Sequence, residues 1–412
     1  MTSEPINDQS INERSIREAY ERIRADIVKT PIIHSATFSE MCGCDVLFKL
    51  ENLQMTGSFK ERGALNKLLS LNAAERKRGV IAASAGNHAQ AVAYHANRLG
   101  ISSKIVMPKF SPLVKVRSTE HWGAEVILEG ETFDDAYRYS QEIVEAENRV
   151  YLHPFDDPLI VSGQGTLGLE ILEDPKAEGI EAILVPVGGG GLISGIATFV
   201  KSINPAIKII GVEEGSCAGM ASAVAAGKSI QVPAQSIIAD GIAVRKVSDT
   251  NLCTVLHSVD QMVSVTSDEI ANAIMLMLEI EKTVVEGSAA VTIAALLNNK
   301  LPELANKRTL SIISGGNIDV NVLSKIINRG LLFDGRIIKL NTIIPDRPGN
   351  LEIILGVFRE SGANVLEVAH HRFASEAPVG QIGVSITVET KNKAHVLELK
   401  SLLTDRGYLI GN

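Results

Sequence analysis

Residues 183–203 read Ile-Leu-Val-Pro-Val-Gly-Gly-Gly-Gly-Leu-Ile-Ser-Gly-Ile-Ala-Thr-Phe-Val-Lys-Ser-Ile. A short apolar run that ends at glycine is typical of a buried strand, and the apolar spacing after the glycines is helical. The same succession of β-rich run, turn of small residues and helical pattern recurs at 80–99 and at 310–328. Strands that alternate with helices in this way form parallel βαβ units. The sequence therefore predicts an α/β fold with helices on both faces of open, parallel sheets.

The pattern changes near residues 330–335. Beyond this point the predicted elements are a strand, a helix, two strands, a helix and a short last strand, at 337–344, 350–361, 365–373, 381–390, 392–406 and 408–410. This βαββαβ order is that of a ferredoxin-like α+β module. We place the boundary near residue 332, which gives two domains, 1–332 and 333–412.

Composition and charge restrict the partners of the chain. Its 412 residues carry a net charge of −8 and contain no long basic run, which argues against nucleic acid or an anionic membrane as a partner. No apolar stretch is long enough to span a bilayer, and the polar first residues are unlike a signal peptide. Four cysteines without disulfide or zinc spacing indicate reduced thiols. We therefore expect a cytoplasmic protein.

The four glycines at 188–191 have no side chains that could obstruct an anion, and the predicted helix after them offers free N–H groups. A phosphate cradle is one interpretation, and close packing of the helix on the sheet is the other. The loop lacks the Lys-Ser/Thr ending of a nucleotide P-loop, and Ile193 or Ser194 stands where a dinucleotide fingerprint has its third glycine. Glu213, at the end of the next predicted strand, keeps a dinucleotide site open as a rival.

The run Gly-Ser-Phe-Lys-Glu-Arg at 57–62 places a lysine at the start of a predicted helix. Ser58 and Glu61 have the spacing of a capping box, so Lys60 is predicted in the first turn, where the macrodipole lowers the pKa of an amine. An amine whose pKa falls from about 10.4 toward about 7–8 is an effective nucleophile and base. The alternative is a solvated surface lysine. A phosphate cradle together with an activated lysine indicates pyridoxal phosphate, whose aldehyde reacts with lysine.

Four motifs follow one another along the chain: 57–63, 84–88 (Ser-Ala-Gly-Asn-His), the glycine run with Leu192, and 314–317 (Ser-Gly-Gly-Asn). On these motifs the chain resembles the threonine dehydratases (threonine ammonia-lyases), which are tryptophan-synthase-β-like, fold-type II pyridoxal-phosphate enzymes. The resemblance covers residues 16–328. It implies pyridoxal 5′-phosphate as the cofactor. It also implies a two-lobed catalytic domain of open sheets, in which a smaller lobe at about 53–153 is inserted in the larger one.

The C-terminal module resembles an ACT domain, an amino-acid-binding regulatory unit, on the run Asp-Arg-Pro-Gly-Asn at 346–350. This resemblance implies an amino-acid effector, with contacts at Asn350, Leu351 and Asn364. It also implies a homo-oligomer, a dimer or a tetramer, because ACT modules usually pair and bind effectors between them.

The resemblance also implies roles for the motif residues. Lys60 is the catalytic lysine that forms the Schiff base, and Phe59 packs beside the cofactor ring. Asn87 binds the ring hydroxyl, and Ser314 faces the pyridine nitrogen. The implied phosphate site comprises Gly188, Gly189, Gly190, Gly191 and Leu192. The implied substrate site comprises Ser84, Ala85, Gly86, Asn87 and His88, although His88 is equally consistent with a packed helix residue.

The implied reaction is the deamination of L-threonine to 2-oxobutanoate and ammonia, and of L-serine to pyruvate. The alternatives are a serine or hydroxyaspartate dehydratase or racemase of the same fold, and a non-catalytic protein that senses amino acids. Serine racemases carry a serine where this chain has Ala85, and a second acid where it has Gly219 to accompany Glu213. Both differences favour elimination, and the second predicts no metal site. Glu286, in Val-Val-Glu-Gly-Ser, either lines the site or belongs to a solvated turn.

Overall fold

The computed structural model describes residues 11–233, 238–372 and 377–408. The chain divides into two compact units between Asp319 and Val320. This division lies before the predicted boundary at residue 332, because the helix that begins at Val320 contacts the first strand of the second unit. In the described part of the chain, no helix has the length and apolar character needed to cross a membrane.

The first unit alternates helices with strands. In chain order these are α1 (Glu13–Ile23), β1 (Ile32–His34), α2 (Ala36–Cys42), β2 (Asp45–Leu50), α3 (Lys60–Ser70), α4 (Ala73–Arg78), β3 (Val80–Ala83), α5 (Asn87–Arg98), β4 (Ser103–Met107), α6 (Leu113–His121), β5 (Glu125–Leu128), α7 (Phe133–Glu147), β6 (Val150–Tyr151), α8 (Pro158–Glu173), β7 (Ala182–Pro186), α9 (Gly191–Ile203), β8 (Lys208–Glu214), α10 (Gly219–Ala226), α11 (Asp249–Ser258), β9 (Gln261–Val265), α12 (Ser267–Ile280), α13 (Gly287–Leu297) and β10 (Arg308–Ile313). Short 3₁₀ turns occupy Glu51–Leu53, Pro175–Ala177, Gly215–Cys217, Asp240–Ile242 and Pro302–Leu304.

These strands form two sheets. The larger sheet has the order β1-β2-β10-β7-β8-β9, in which β1 is antiparallel to β2 and all other neighbours are parallel. The smaller sheet, β5-β4-β3-β6, is parallel throughout. Its strands lie between β2 and β7 in the chain, so the smaller lobe is inserted in the larger one. The predicted fold, open parallel α/β sheets in two lobes, is confirmed.

Close helix packing keeps the larger lobe compact. Every residue of β7 is buried, as expected for a strand covered by helices on both faces. On one face, α8 and α9 cross where Gly165 meets Gly195, and a Cβ at Gly195 would come within 2.6 Å of the Gly165 nitrogen. These two glycines therefore permit a backbone approach that a larger side chain would prevent.

The second unit is a separate α+β module. Its elements are α14 (Val320–Phe333), β11 (Ile337–Pro345), α15 (Asn350–Ser361), β12 (Asn364–His371), β13 (Gln381–Glu389) and α16 (Lys393–Asp405). The strands form an antiparallel sheet, β11-β13-β12. Side chains of α15 and α16, such as Ile354 and Leu399, share one core with Val384 of the sheet. This architecture is compatible with an ACT-type module; most of the predicted last strand, 408–410, falls outside the described residues.

Candidate active site

Lys60 is the first residue of α3, and its Nζ donates a hydrogen bond to the Pro154 carbonyl oxygen at 2.9 Å. Burial lowers the pKa of the amine from 10.5 to about 8, because the charged form loses its hydration, while the nearby Glu286 carboxylate opposes this change. The expected lowering is present, but its main cause is burial and not the helix macrodipole. The alternative of a solvated surface lysine is wrong.

The predicted capping box at the start of α3 is also wrong. The N-cap residue is Phe59, which has helical backbone angles, and no side chain caps the helix. Ser58 instead pairs through its backbone with Gly315 in an isolated β-bridge. The Glu61 carboxylate, fully buried, accepts a hydrogen bond from the Thr56 N–H. Tertiary pairing with a distant loop has therefore taken the place of the local cap.

This backbone pairing joins the lysine loop to the loop after β10. Phe59 N donates to Ser314 O at 3.0 Å, and Gly316 N donates to Gly57 O at 2.9 Å. Three of the motifs found in the sequence therefore meet here, because Asn317 also donates through Nδ2 to Asn87 Oδ1 at 2.8 Å. The structure brings the loops of Lys60, Asn87 and Ser314 together, as the resemblance implied.

The glycine loop lies between β7 and α9. Gly190 has a φ of 89°, in the left-handed region that favours glycine. A Cβ at Gly189 would collide with the ring of Phe155, and one at Gly191 would lie 3.0 Å from the Phe155 carbonyl oxygen. The two interpretations of the glycines are therefore compatible: they permit close packing, and α9 still opens with the free N–H groups of a helix N-terminus.

Asn251 holds the glycine loop in place. Its Nδ2 donates to Gly189 O and to Phe155 O, both at 2.9 Å. Asn251 is 1% exposed and lies in α11. Neither Asn251 nor Phe155 belongs to a motif that the sequence analysis selected, because both act through contacts between segments far apart in the chain.

The loop between β3 and α5 carries the predicted substrate site, 84–88. Gly86 is the N-cap of α5, and its N–H donates to Ser84 Oγ at 3.3 Å. Ser84, Ala85, Gly86 and Asn87 are half-buried, so this helix start remains accessible. His88 is 2% exposed and its Nε2 donates to Leu152 O at 2.9 Å. Burial lowers the pKa of His88 to about 3, so the ring is neutral and serves packing.

Glu286 belongs to the site and not to a solvated turn. It is 5% exposed, immediately before α13. Its Oε1 accepts hydrogen bonds from Ser288 Oγ at 2.5 Å and from Asn87 Nδ2 at 2.8 Å. Burial raises the pKa of this carboxyl, and the two donors act in the opposite direction. The signal available in the sequence was a carboxylate that directly follows two valines.

Glu213 binds the start of a helix and does not serve as a ribose-binding acid. Its carboxylate accepts the N–H groups of Met220 at 2.8 Å and Ala221 at 2.7 Å, which are free donors at the start of α10. Burial raises its pKa to about 7. The dinucleotide rival is therefore wrong. Among the described residues, no group of three or more His, Cys, Asp or Glu side chains could hold a metal ion.

The predicted effector residues lie in the second unit. Asn350 is the first residue of α15, and its Nδ2 donates to Arg347 O at 3.4 Å. Leu351 packs against the core of the module. Asn364 begins β12 and donates to Glu389 Oε2 at 3.2 Å. Their role in effector binding stays a prediction.

The residues of the catalytic unit fit pyridoxal phosphate. Lys60 supplies an amine that is partly neutral near pH 8, and Ser314 supplies a hydroxyl that is 2% exposed. Asn87 supplies an amide, and the glycine loop supplies helix N–H groups for a phosphate. These are the donors that an aldehyde-bearing aromatic phosphate requires, and they converge from four segments of one unit.

Comparison with known proteins agrees with this geometry. The sequence matches the family described as pyridoxal-phosphate dependent enzyme over residues 23–315. The chain belongs to this family. It is 47% identical to an L-threonine ammonia-lyase of Thermotoga maritima over 95% of this chain and 97% of that protein. It is 46% identical to the L-threonine dehydratase catabolic TdcB of Escherichia coli over 76% of this chain and 94% of that protein.

Solved structures of the family have the same fold. The processed form of threonine deaminase isoform 2 from Solanum lycopersicum superposes with a TM-score of 0.74 at 36% identity, covering 80% of this chain and 90% of that one. Maize serine racemase superposes with a TM-score of 0.73 at 35% identity, covering 78% and 98%. The predicted family and its cofactor, pyridoxal phosphate, are confirmed.

Proposed function

We propose that this enzyme deaminates L-threonine to 2-oxobutanoate and ammonia, and L-serine to pyruvate. The single observation that carries the proposal is the half-buried Lys60 at the start of α3, whose pKa of about 8 lets one amine both accept and donate a proton near neutral pH. The full-length similarity to an L-threonine ammonia-lyase at 47% identity supports the choice of substrate.

Each step of this reaction is assigned to the cofactor or to a residue of the chain. Pyridoxal phosphate, when bound, supplies an electron sink for negative charge at the substrate Cα. Lys60 Nζ accepts the Cα proton and gives it to the β-hydroxyl, which leaves as water. The released enamine takes up water and yields the oxo acid and ammonia, so the water lost in elimination is regained in hydrolysis.

Binding groups surround that amine. The N–H groups at the start of α5, in the segment 84–88, suit the substrate carboxylate. Residues 188–192 suit the cofactor phosphate, Asn87 its ring hydroxyl and Ser314 its ring nitrogen. The ring of Phe59 lies 5.2 Å from Lys60 Nζ, which places an aromatic face beside the reacting group.

Elimination is favoured over racemisation by one side chain. Racemisation needs a second proton donor on the face opposite the lysine, and Ala85 has no proton to give. The fold does not decide between the two reactions, because it superposes equally well on a threonine deaminase and on a serine racemase. The side chain at position 85 therefore carries this part of the proposal.

Regulation is assigned to the second unit. Its antiparallel sheet with two helices is compatible with an ACT-type module, which would bind an amino-acid effector through Asn350, Leu351 and Asn364 in a dimer or tetramer. The net charge of −8 argues against a nucleic-acid partner, and the proposed substrate is a small molecule. We therefore place the enzyme in the cytoplasm.

The first test is turnover. We expect the wild-type enzyme with pyridoxal phosphate to release 2-oxobutanoate from L-threonine, and Lys60→Ala to lose at least about 10³-fold in rate, since proton transfer by a positioned group alone contributes about 10²–10⁴-fold. Lys77→Ala, on the exposed face of α4, is the matched control and should keep full activity.

Two results would contradict the proposal. A folded wild-type enzyme that binds the cofactor but releases no 2-oxobutanoate would exclude threonine, and L-serine and hydroxyaspartate would be tested next. Formation of D-serine from L-serine at a rate above pyruvate release would favour the racemase alternative.

A further inference from the structure

The hydrogen bonds of Glu286 belong to a continuous series that crosses the site. The carboxylate accepts from Ser288 and Asn87, at 2.5 and 2.8 Å. Asn87 Oδ1 accepts from Asn317 Nδ2 at 2.8 Å, and the same nitrogen donates to Thr56 O at 2.7 Å. Four segments of the chain, the starts of α5 and α13 and the loops before α3 and after β10, are connected in this way.

The two acceptors at the ends of this series of hydrogen bonds are the Glu286 carboxylate and Thr56 O. They determine which atoms of the Asn87 amide face each neighbour. A carboxylate and a carbonyl oxygen only accept, whereas an amide offers one oxygen and an NH₂ with two hydrogens. Because Asn317 must direct its NH₂ at Thr56 O, Asn87 presents its oxygen to Asn317 and its NH₂ to Glu286. The second hydrogen of that NH₂ is then the one that Asn87 can donate to a ligand oxygen.

We propose that Glu286 is a positioning residue of this enzyme: it directs an N–H of Asn87 toward the cofactor. It acts through Asn87 and does not itself exchange a proton with the substrate. The inference rests on the proposed function, because it concerns the same cofactor.

Two variants separate the charge of Glu286 from its reach. Glu286→Gln keeps an oxygen that can accept from Ser288 and Asn87 but removes the charge. Glu286→Asp keeps the charge but is one methylene shorter, which withdraws it from Asn87. The matched control is Glu213→Gln, because Glu213 is also buried, at 2% exposure, and its carboxylate binds the start of α10.

The measurement is the affinity of the cofactor-free protein for pyridoxal phosphate, titrated by visible absorbance. Glu286→Gln should bind the cofactor about as tightly as the wild type, because its amide oxygen still accepts from Asn87. Glu213→Gln should leave the affinity unchanged.

Glu286→Asp tests the orientation of Asn87 itself. Its affinity for pyridoxal phosphate should fall by about tenfold, the effect of one misdirected hydrogen bond. Thermal unfolding of each cofactor-free variant checks that it is folded. If the Gln variant does not fold, the affinity of the Asp variant decides alone.

The outcomes for the two proposals are distinct. An unchanged affinity in Glu286→Asp, or an affinity of Glu286→Gln that falls as far as that of Glu286→Asp, overturns the inference even when the wild type converts threonine. A wild type that takes up the cofactor but converts no threonine overturns the proposed function, and the comparison of affinities still shows whether Glu286 orients Asn87.

Discussion

Lys60 and Arg62 are two residues apart in the first turn of α3, and their surroundings are opposite. Arg62 is fully buried and donates to the carboxylates of Glu51 and Glu170 at 2.7 to 2.9 Å. Lys60 donates to one backbone carbonyl oxygen, that of Pro154. Burial alone would lower the pKa of Arg62, but its two carboxylates raise it above its ordinary value, whereas burial lowers the pKa of Lys60 to about 8.

The arginine is part of a balanced cluster. Lys49 Nζ donates to Glu170 Oε2 at 2.8 Å and to Thr30 O at 2.7 Å. Two cations and two anions, none more than 2% exposed, thereby connect β2, α3 and α8. The comparison teaches that one turn of helix can hold a fully paired cation, which fixes the helix, beside an amine with little pairing, which stays free to titrate.

The largest effect on stability is expected from Arg62→Met. The substitution leaves the buried Glu51 carboxylate without its cation and the buried Glu170 carboxylate with Lys49 alone as a cation, and breaking a buried ion pair in this way costs about 3–5 kcal/mol. Urea unfolding of the cofactor-free protein measures the loss. Arg78→Met, in the exposed last turn of α4, is the control and should change stability by less than about 0.5 kcal/mol.

A double variant sharpens this prediction. Glu51→Gln combined with Arg62→Met restores charge balance between Glu170 and Lys49, so its loss should be smaller than the sum of the two single losses. A loss below about 1 kcal/mol for Arg62→Met would show that the cluster does not stabilise α3, and the contrast with Lys60 would fail.

The second-largest effect on stability is expected from Lys60→Met, which should stabilise the protein. Lys60→Met should stabilise the cofactor-free protein by about 3 kcal/mol at pH 7, since the pKa of the amine falls from 10.5 in the unfolded chain to about 8 in the fold. A depressed pKa means that the unfolded chain binds the proton more tightly, so the cost is complete below pH 8. The advantage of the variant should therefore shrink as the pH rises from 8 to 10.5.

Unfolding of both proteins at several pH values tests this dependence. A stability difference between wild type and Lys60→Met that is constant from pH 7 to about 10.5 would contradict burial as the cause of the low pKa. Loss of activity in the same variant is expected in either case, because the amine is gone.

The smallest effect is expected from Ser58→Ala. Its hydroxyl is buried and has no hydrogen-bond partner among the described residues, so its removal should change stability by less than about 0.5 kcal/mol. Thr132 is the matched comparison, because its Oγ1 accepts from Asp135 N at 3.2 Å and caps α7. Thr132→Ala should cost about 1 kcal/mol, and equal losses would restore Ser58 as a cap for the lysine helix.

Much of the fold could be predicted because its signals are local. The run 182–186 is apolar throughout, as a strand between two helix layers requires, and the four glycines after it are a local signal for a turn that opens a helix. Lys60, Asn87 and Ser314 could be predicted as site residues because each lies in a short motif. The boundary between the units was harder to place, because α14 continues the helical pattern without a local signal of which core it joins.

The errors and omissions share one physical cause. Ser58 and Glu61 have the spacing of a cap, but their partners, Gly315 and Thr56, come from the folded loops. Pro154 lies 94 residues from Lys60, and Glu286 lies 199 residues from Asn87. No local pattern contains such pairs, because they form only when the sheets bring the strand ends together.

The amino-acid sequence by itself determined that this protein has parallel α/β sheets, a glycine loop that opens a helix and a lysine at a helix start, since residue type and spacing act over a few residues. Only the tertiary structure determined the pKa of that lysine. Burial against Pro154 and the charge of Glu286 set its pKa, while Arg62, two residues later, is paired on both sides. Desolvation and charge pairing depend on what surrounds a side chain in space, and that is established only when the chain has folded.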